Sequence, residues 1–165
     1  FGRIHPDKGA KEAIEIACKT NMKLILAGII QDQQYCETYI KPYIDGKSVS
    51  YKGSADPAER NKLLGKAYAL LHPINFAEPF GLSVVESMAW GTPVIAFHKG
   101  SMPEIIEHGV NGFLVSVIAE AIRTVYYIQD IDREQCRLTV EKRFIAEIMV
   151  ENYLRVYKKI LNIKP

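Results

Sequence analysis

Apolar residues recur along the chain with two different periods. At Ala10, Ala13, Ile14 and Ala17 the spacing is helical, predicting a helix over residues 8–19 with Asn21 as its stop. The run Leu24-Ile25-Leu26-Ala27, closed by Gly28, reads as a short buried strand. A weaker pattern predicts a helix over 33–43, ended near Pro42, and Val49-Ser50-Tyr51 alternates as an extended segment before Gly53. Asp56-Pro57-Ala58-Glu59 places a cap, a first-position proline and a third-position glutamate in the order that opens a helix. Tyr68-Ala69-Leu70-Leu71 and Pro93-Val94-Ile95-Ala96-Phe97 read as buried strands. Between Gly100 and Gly109 the pattern predicts a capped helix, and Asn111-Gly112 turns into a further strand, Phe113-Leu114-Val115. The tail is helical: residues 119–127 form one segment. Phe144, Ile145, Ile148, Met149, Tyr153, Val156, Tyr157 and Ile160 then mark one face of a long last helix over 144–161.

Continuous apolar strands alternating with helices are the signature of a parallel sheet covered on both faces. The expected fold class is therefore α/β, a Rossmann-like doubly wound parallel sheet. In such sheets ligands bind at the carboxyl ends of strands, which directs attention to the loops at 3–8 and after Gly28, Phe76 and Phe97. Composition narrows the function. With 165 residues, 48% hydrophobic and 24% charged, the chain is an ordinary globular domain, and a net charge of +2 without a basic cluster argues against a nucleic-acid partner. Cys18, Cys36 and Cys136 are odd in number and widely spaced, as expected of reduced thiols in a cytoplasmic protein. No apolar run reaches membrane-spanning length. The opening Phe1-Gly2-Arg3 reads as the end of a truncated strand, so the expectation is a fragment, 1–165, of a larger protein.

The most informative stretch is Phe76-Ala77-Glu78-Pro79-Phe80-Gly81-Leu82-Ser83-Val84-Val85-Glu86. Ser83 and Glu86 have the spacing of a capping box, which predicts a helix starting at Ser83. A glycine turn feeding a helix N-terminus is a cradle for phosphate. Glu78, held extended by Pro79, would repel phosphate but could accept hydrogen bonds from hydroxyls on the same ligand. Phosphate flanked by two carboxylates suggests a sugar nucleotide, although capping and loop glutamates explain the same residues structurally. Arg3 and Lys8 lie in the first loop, which the topology brings beside Glu78, where they could clamp a diphosphate.

Other motifs carry less. His5-Pro6-Asp7-Lys8 matches the tetrapeptide of J-domain co-chaperones, but it follows a strand end in an α/β chain rather than joining two helices. Asp130-Ile131-Asp132 spells a metal-binding pattern without the apolar strand needed to place it at a sheet edge. His72, His98 and His108 have no ligand spacing, and no nucleophile elbow occurs.

Gly2-Arg3 with Lys8-Gly9, Glu78 through Glu86, Gly91-Thr92-Pro93-Val94-Ile95-Ala96, Gly100-Ser101-Met102-Pro103-Glu104 and Gly109-Val110-Asn111-Gly112-Phe113 together resemble the family-4 (group 1) retaining glycosyltransferases. The match is to their C-terminal, donor-binding domain, one half of a two-domain GT-B enzyme. The resemblance implies transfer of a sugar from a nucleoside-diphosphate sugar, with no metal and no other cofactor. By the same resemblance Arg3 and Lys8 hold the leaving diphosphate, Glu78 touches donor-sugar hydroxyls and Glu86 holds the ribose diol. Phe80, Gly81, Leu82 and Ser83 supply backbone amides, Gly2 belongs to the first loop, and the base lies near Val49 and Tyr51. Implied partners are an acceptor of unspecified identity and an N-terminal acceptor domain in cis, and the whole protein is compatible with peripheral membrane association. A same-fold epimerase or phosphorylase and a non-catalytic nucleotide-binding module are the competing readings. Ser101 departs from the family's more usual glycine, and Ile29-Ile30 stand where a glycine-rich loop is common.

Overall fold

The computed structural model describes residues 1–161, so the final residues of the expected span 1–165 lie outside the described residues. Among the described residues, five parallel strands form two sheets. β1 (Leu24–Leu26) pairs with β2 (Val49–Tyr51), and β3 (Leu70–His72) pairs with β4 (Val94–Phe97), which pairs with β5 (Gly112–Val115). Registers run Leu24 to Val49, Leu70 to Val94 and Val94 to Gly112. Residues 1–4 extend the smaller sheet: Gly2 N donates to Ala27 O at 2.9 Å and Ile4 N to Ile29 O at 2.7 Å. All four β4 residues are buried, which is why that strand reads as an unbroken apolar run.

Helices cover both faces. α1 (Ala10–Thr20) packs on α6 (Ile118–Val125), while α4 (Leu82–Ala89) packs on α3 (Pro57–Lys66) and α7 (Arg133–Arg143). The larger core joins Ile16, Leu64, Ile74, Val84, Met88, Ile95 and Met102. A smaller one joins Ile4, Ile14, Leu26, Tyr35, Ile40 and Val49 under the first sheet. The fold is the expected α/β arrangement of parallel strands between helical layers.

Local differences have identifiable causes. The first helix begins at Ala10 because Pro6–Lys8 form a separate 3-10 turn. The 33–43 segment is not one helix: α2 (Gln33–Tyr35), capped by Asp32, passes into a π turn at Cys36–Ile40 and a 3-10 turn at Lys41–Tyr43 around Pro42. Asp56 caps α3 as expected, accepting from Glu59 N at 2.8 Å. The helix after Gly100 is only α5 (Met102–Ile105), because Ile106 is extended and the buried Asn111 side chain takes over, accepting from Glu107 N at 3.0 Å. α7 was not predicted, since its buried residues are only Cys136 and Val140. Its cap is Asp132, which gives the Asp130-Ile131-Asp132 motif a structural role. α8 (Ala146–Ile160) buries none of its residues and leaves Met149, Tyr153, Leu154 and Tyr157 exposed. No helix among the described residues is long and apolar enough to cross a membrane.

Candidate functional site

Every strand is parallel to its neighbour, so within each sheet the carboxyl ends share one edge and the following helices begin there. The loop at 73–81 follows β3 at that edge and carries Glu78 into α4. Its carboxylate meets the first loop: Lys8 Nζ donates to Glu78 Oε2 at 2.6 Å, with the two side chains 22% and 13% exposed. Lys8 Nζ also lies 4.4 Å from the centre of the Phe76 ring. The two loops are tied by backbone as well, Asn75 N donating to Asp7 O at 2.7 Å. The long-range meeting of the first loop with the Glu78 loop is therefore present in the structure.

Arg3 stands in the same loop but has other partners. Its Nη2 donates to Asp7 Oδ2 at 2.5 Å and its Nη1 to Gln31 Oε1 at 2.6 Å, while His5 Nδ1 lies 2.7 Å from Asp7 Oδ1. Held on two sides, the guanidinium is presented in one orientation rather than swept through solvent. Gly2 is spent on the sheet, through its bond to Ala27 O.

The helix after Glu78 does not begin with a capping box. Gly81 is the N-cap, in the left-handed conformation at φ 86°, and α4 starts at Leu82, so Ser83 lies inside the first turn with no capping bond. A Cβ at residue 81 would also lie 2.5 Å from Met102 Cε, so the turn requires glycine on two counts. Glu86, freed from capping, instead faces Arg60 of α3, with Nη1 3.0 Å from Oε1. Residues Leu82 and Ser83 open the helix, and first-turn N–H groups have no intrahelical acceptor. Leu82 is 69% exposed; Phe80 is exposed too, edge-on to Phe144 at 6.0 Å.

The loop after β4 buttresses the Glu78 turn. Ser101 N donates to Glu78 O and Ser101 Oγ to Phe80 O, both at 2.8 Å. Gly100 makes that contact possible: a Cβ there would lie 2.3 Å from Glu78 N and O. Ser101 thus contributes a hydroxyl bond to the Glu78 turn. His72, at the end of β3, is buried, and burial above all lowers its pKa to about 3, so the ring is neutral.

The segment expected near the base is mixed. Val49 is buried in the smaller core, and the Tyr51 hydroxyl donates to Gly28 O at 2.7 Å. Only the chain from Tyr51 onward reaches the carboxyl edge. A cavity of about 560 Å³ lies elsewhere, between the two sheets, lined by Ala17, Leu26, Leu64, Leu71 and Ile95 among others. It contains none of Arg3, Lys8, Glu78 or Glu86 and is largely apolar, so it is unsuited to a diphosphate. Sequence reasoning missed Arg60 and Gln31, and the bond from Ser101 to Phe80, because these contacts depend on folding.

Comparison with known proteins gives this geometry a family. An uncharacterized 41.2 kDa protein of the cps region of Klebsiella pneumoniae is 29% identical over 164 residues, 95% of this chain and 44% of that protein. AviGT4, a glycosyltransferase involved in avilamycin A biosynthesis, superposes with a TM-score of 0.80 at 26% identity, covering 98% of this chain and 50% of AviGT4. HepE from Anabaena, solved in complex with UDP, superposes with a TM-score of 0.80 at 24% identity, over 96% of this chain and 48% of HepE. The chain spans about half the length of these proteins. Since the family model for glycosyl transferases group 1 matches residues 1–138, the chain belongs to that family.

Proposed function

We propose that this chain is the donor-binding half of a retaining, metal-independent glycosyltransferase, holding a nucleoside-diphosphate sugar at the carboxyl edge of its sheets. The observation that carries the reading is the Lys8–Glu78 pair, which joins a cation suited to phosphate and a carboxylate suited to hydroxyls beside the first turn of α4. Family membership and the UDP bound to HepE support the ligand class.

In this reading the diphosphate lies against Arg3, Lys8 and the amides of Phe80, Gly81, Leu82 and Ser83. Lys8 leaves Glu78 for the phosphate, and Glu78 turns to the sugar hydroxyls. The ribose diol takes Glu86, the base lies beyond Tyr51, and Gly2 and Val49 support the strands beneath. Charge that develops on the leaving diphosphate is met by groups already oriented toward it, which is how a metal-free site lowers the barrier. The acceptor would be bound by an N-terminal domain in cis, and the exposed apolar face of α8 is available to pack against that domain. The absence of a membrane-spanning helix among the described residues is compatible with the proposed cytoplasmic location and peripheral membrane association.

The test is turnover by the full-length protein with UDP-, GDP- and ADP-sugars and a panel of hydroxyl acceptors. Nucleoside diphosphate released only when acceptor is supplied, with donor anomeric configuration kept and with EDTA ineffective, supports the reading. Turnover without acceptor indicates an epimerase, and phosphate-dependent release a phosphorylase. No turnover with any donor indicates a binding module.

A further inference from the structure

We propose that Arg60 is a positioning residue for nucleotide recognition, fixing the Glu86 carboxylate at the carboxyl edge so that it meets the ribose diol of the donor. The inference rests on the donor-binding reading above and adds a residue to it.

Three observations carry the assignment. Glu86 does not cap its own helix, so its orientation is set by another group, and Arg60 Nη1 lies 3.0 Å from its Oε1. Arg60 is in the first turn of α3 (Pro57–Lys66), and Glu86 is just past the first turn of α4 (Leu82–Ala89). Both helices follow parallel strands and so begin at the edge where the donor is placed, which puts this ion pair at the mouth of the site. Finally, the stem of the Arg60 guanidinium is enclosed and the helix that carries it is tied down. Arg60 Nε is enclosed by protein without an acceptor, and the next residue, Asn61, accepts from Trp90 Nε1 at 3.3 Å, pinning α3 against the end of α4.

Each partner is 32% exposed, and an ion pair so placed contributes little to folding. Its effect on a ligand is larger. A carboxylate close to the diphosphate cradle would repel that anion, and the neighbouring guanidinium offsets the repulsion while leaving Glu86 Oε2 for the diol. An arginine is suited to this because its planar fork holds a carboxylate in one orientation, which a lysine does not.

The test uses the full-length protein and isothermal titration with UDP, GDP and ADP, their 2′,3′-dideoxy forms, and inorganic pyrophosphate. Arg60→Ala is expected to weaken the ribonucleotide that the wild type binds by about tenfold, the scale of one charge-assisted hydrogen bond. Pyrophosphate and the dideoxynucleotide should change by less than about twofold, and Arg60→Lys should recover only part of the loss. Ribonucleotide affinity unchanged in Arg60→Ala overturns the assignment. Equal losses for ribonucleotide and pyrophosphate also overturn it, because they would place the effect on the fold or on bulk charge. Wild type that binds none of the three ribonucleotides refutes the donor reading itself, which separates the two failures.

Discussion

Glu78→Gln is the most informative single change, because the structure predicts unequal effects on two ligands. Lys8 Nζ is 2.6 Å from Glu78 Oε2, so a diphosphate has to draw the ammonium away from a carboxylate. At an effective dielectric constant of about 20, unit charges about 4 Å apart attract by about 4 kcal/mol. The observed pair is 22% and 13% exposed, and glutamine would keep a neutral acceptor near Lys8. The retained acceptor reduces the difference, and about 1–2 kcal/mol remains, a factor of about 5 to 30 in Kd. Bare nucleoside diphosphate should therefore bind Glu78→Gln more tightly than wild type by that factor. The nucleoside-diphosphate sugar should gain much less, since the amide is a poorer acceptor for sugar hydroxyls than the carboxylate. Paired calorimetric titrations with diphosphate and diphosphate sugar read both effects. Weaker binding of the bare diphosphate by the variant would refute the reasoning, because it would mean that Glu78 supports the phosphate site rather than competing for its lysine.

Two further predictions concern the scaffold. Gly100→Ala puts a Cβ 2.3 Å from Glu78 N and O at a residue with φ +58°, so it should destabilise the protein by about 2–4 kcal/mol; urea denaturation showing less than about 1 kcal/mol would contradict the close approach. His72 has its pKa lowered from 6.5 to about 3 in the folded state, chiefly by burial, so between those values the unfolded chain binds the extra proton. Stability should fall as pH drops below about 6.5, with a contribution of up to about 1.4 kcal/mol per pH unit that His72→Gln removes. An unchanged pH slope in that variant would contradict the buried neutral ring.

The elements that the sequence announced most clearly are those whose cause is local. Asp56, Pro57 and Glu59 mark the start of α3 without help from the rest of the chain, and the apolar run from Val94 to Phe97 declares a strand buried on both faces. Ser83 and Glu86 misled for a related reason: the spacing of a capping box is local, but the helix start was decided by Gly81, whose left-handed turn packs under Met102. The pairing of Glu86 with Arg60 depends on how α3 lies against α4, which no spacing within either helix encodes. The same holds for the contact of Gly100 and Ser101 with the Glu78 turn. α7 escaped notice because a helix that buries only Cys136 and Val140 carries almost no periodic signal. At the site, the meeting of Lys8 with Glu78 followed from topology, whereas the hold of Asp7 and Gln31 on Arg3 did not.

The central claim is that the ligand lies at the carboxyl edge, between the first loop and the start of α4. Amide chemical-shift mapping during titration of the full-length protein with UDP-, GDP- and ADP-sugars tests it most directly. The account predicts saturable shifts concentrated at Arg3, Lys8, Glu78, Gly81, Leu82 and Ser83, reversed by excess pyrophosphate. Shifts centred instead on Leu26, Leu64 and Leu71, around the apolar cavity between the sheets, or no shifts with any of the three donors, would contradict it.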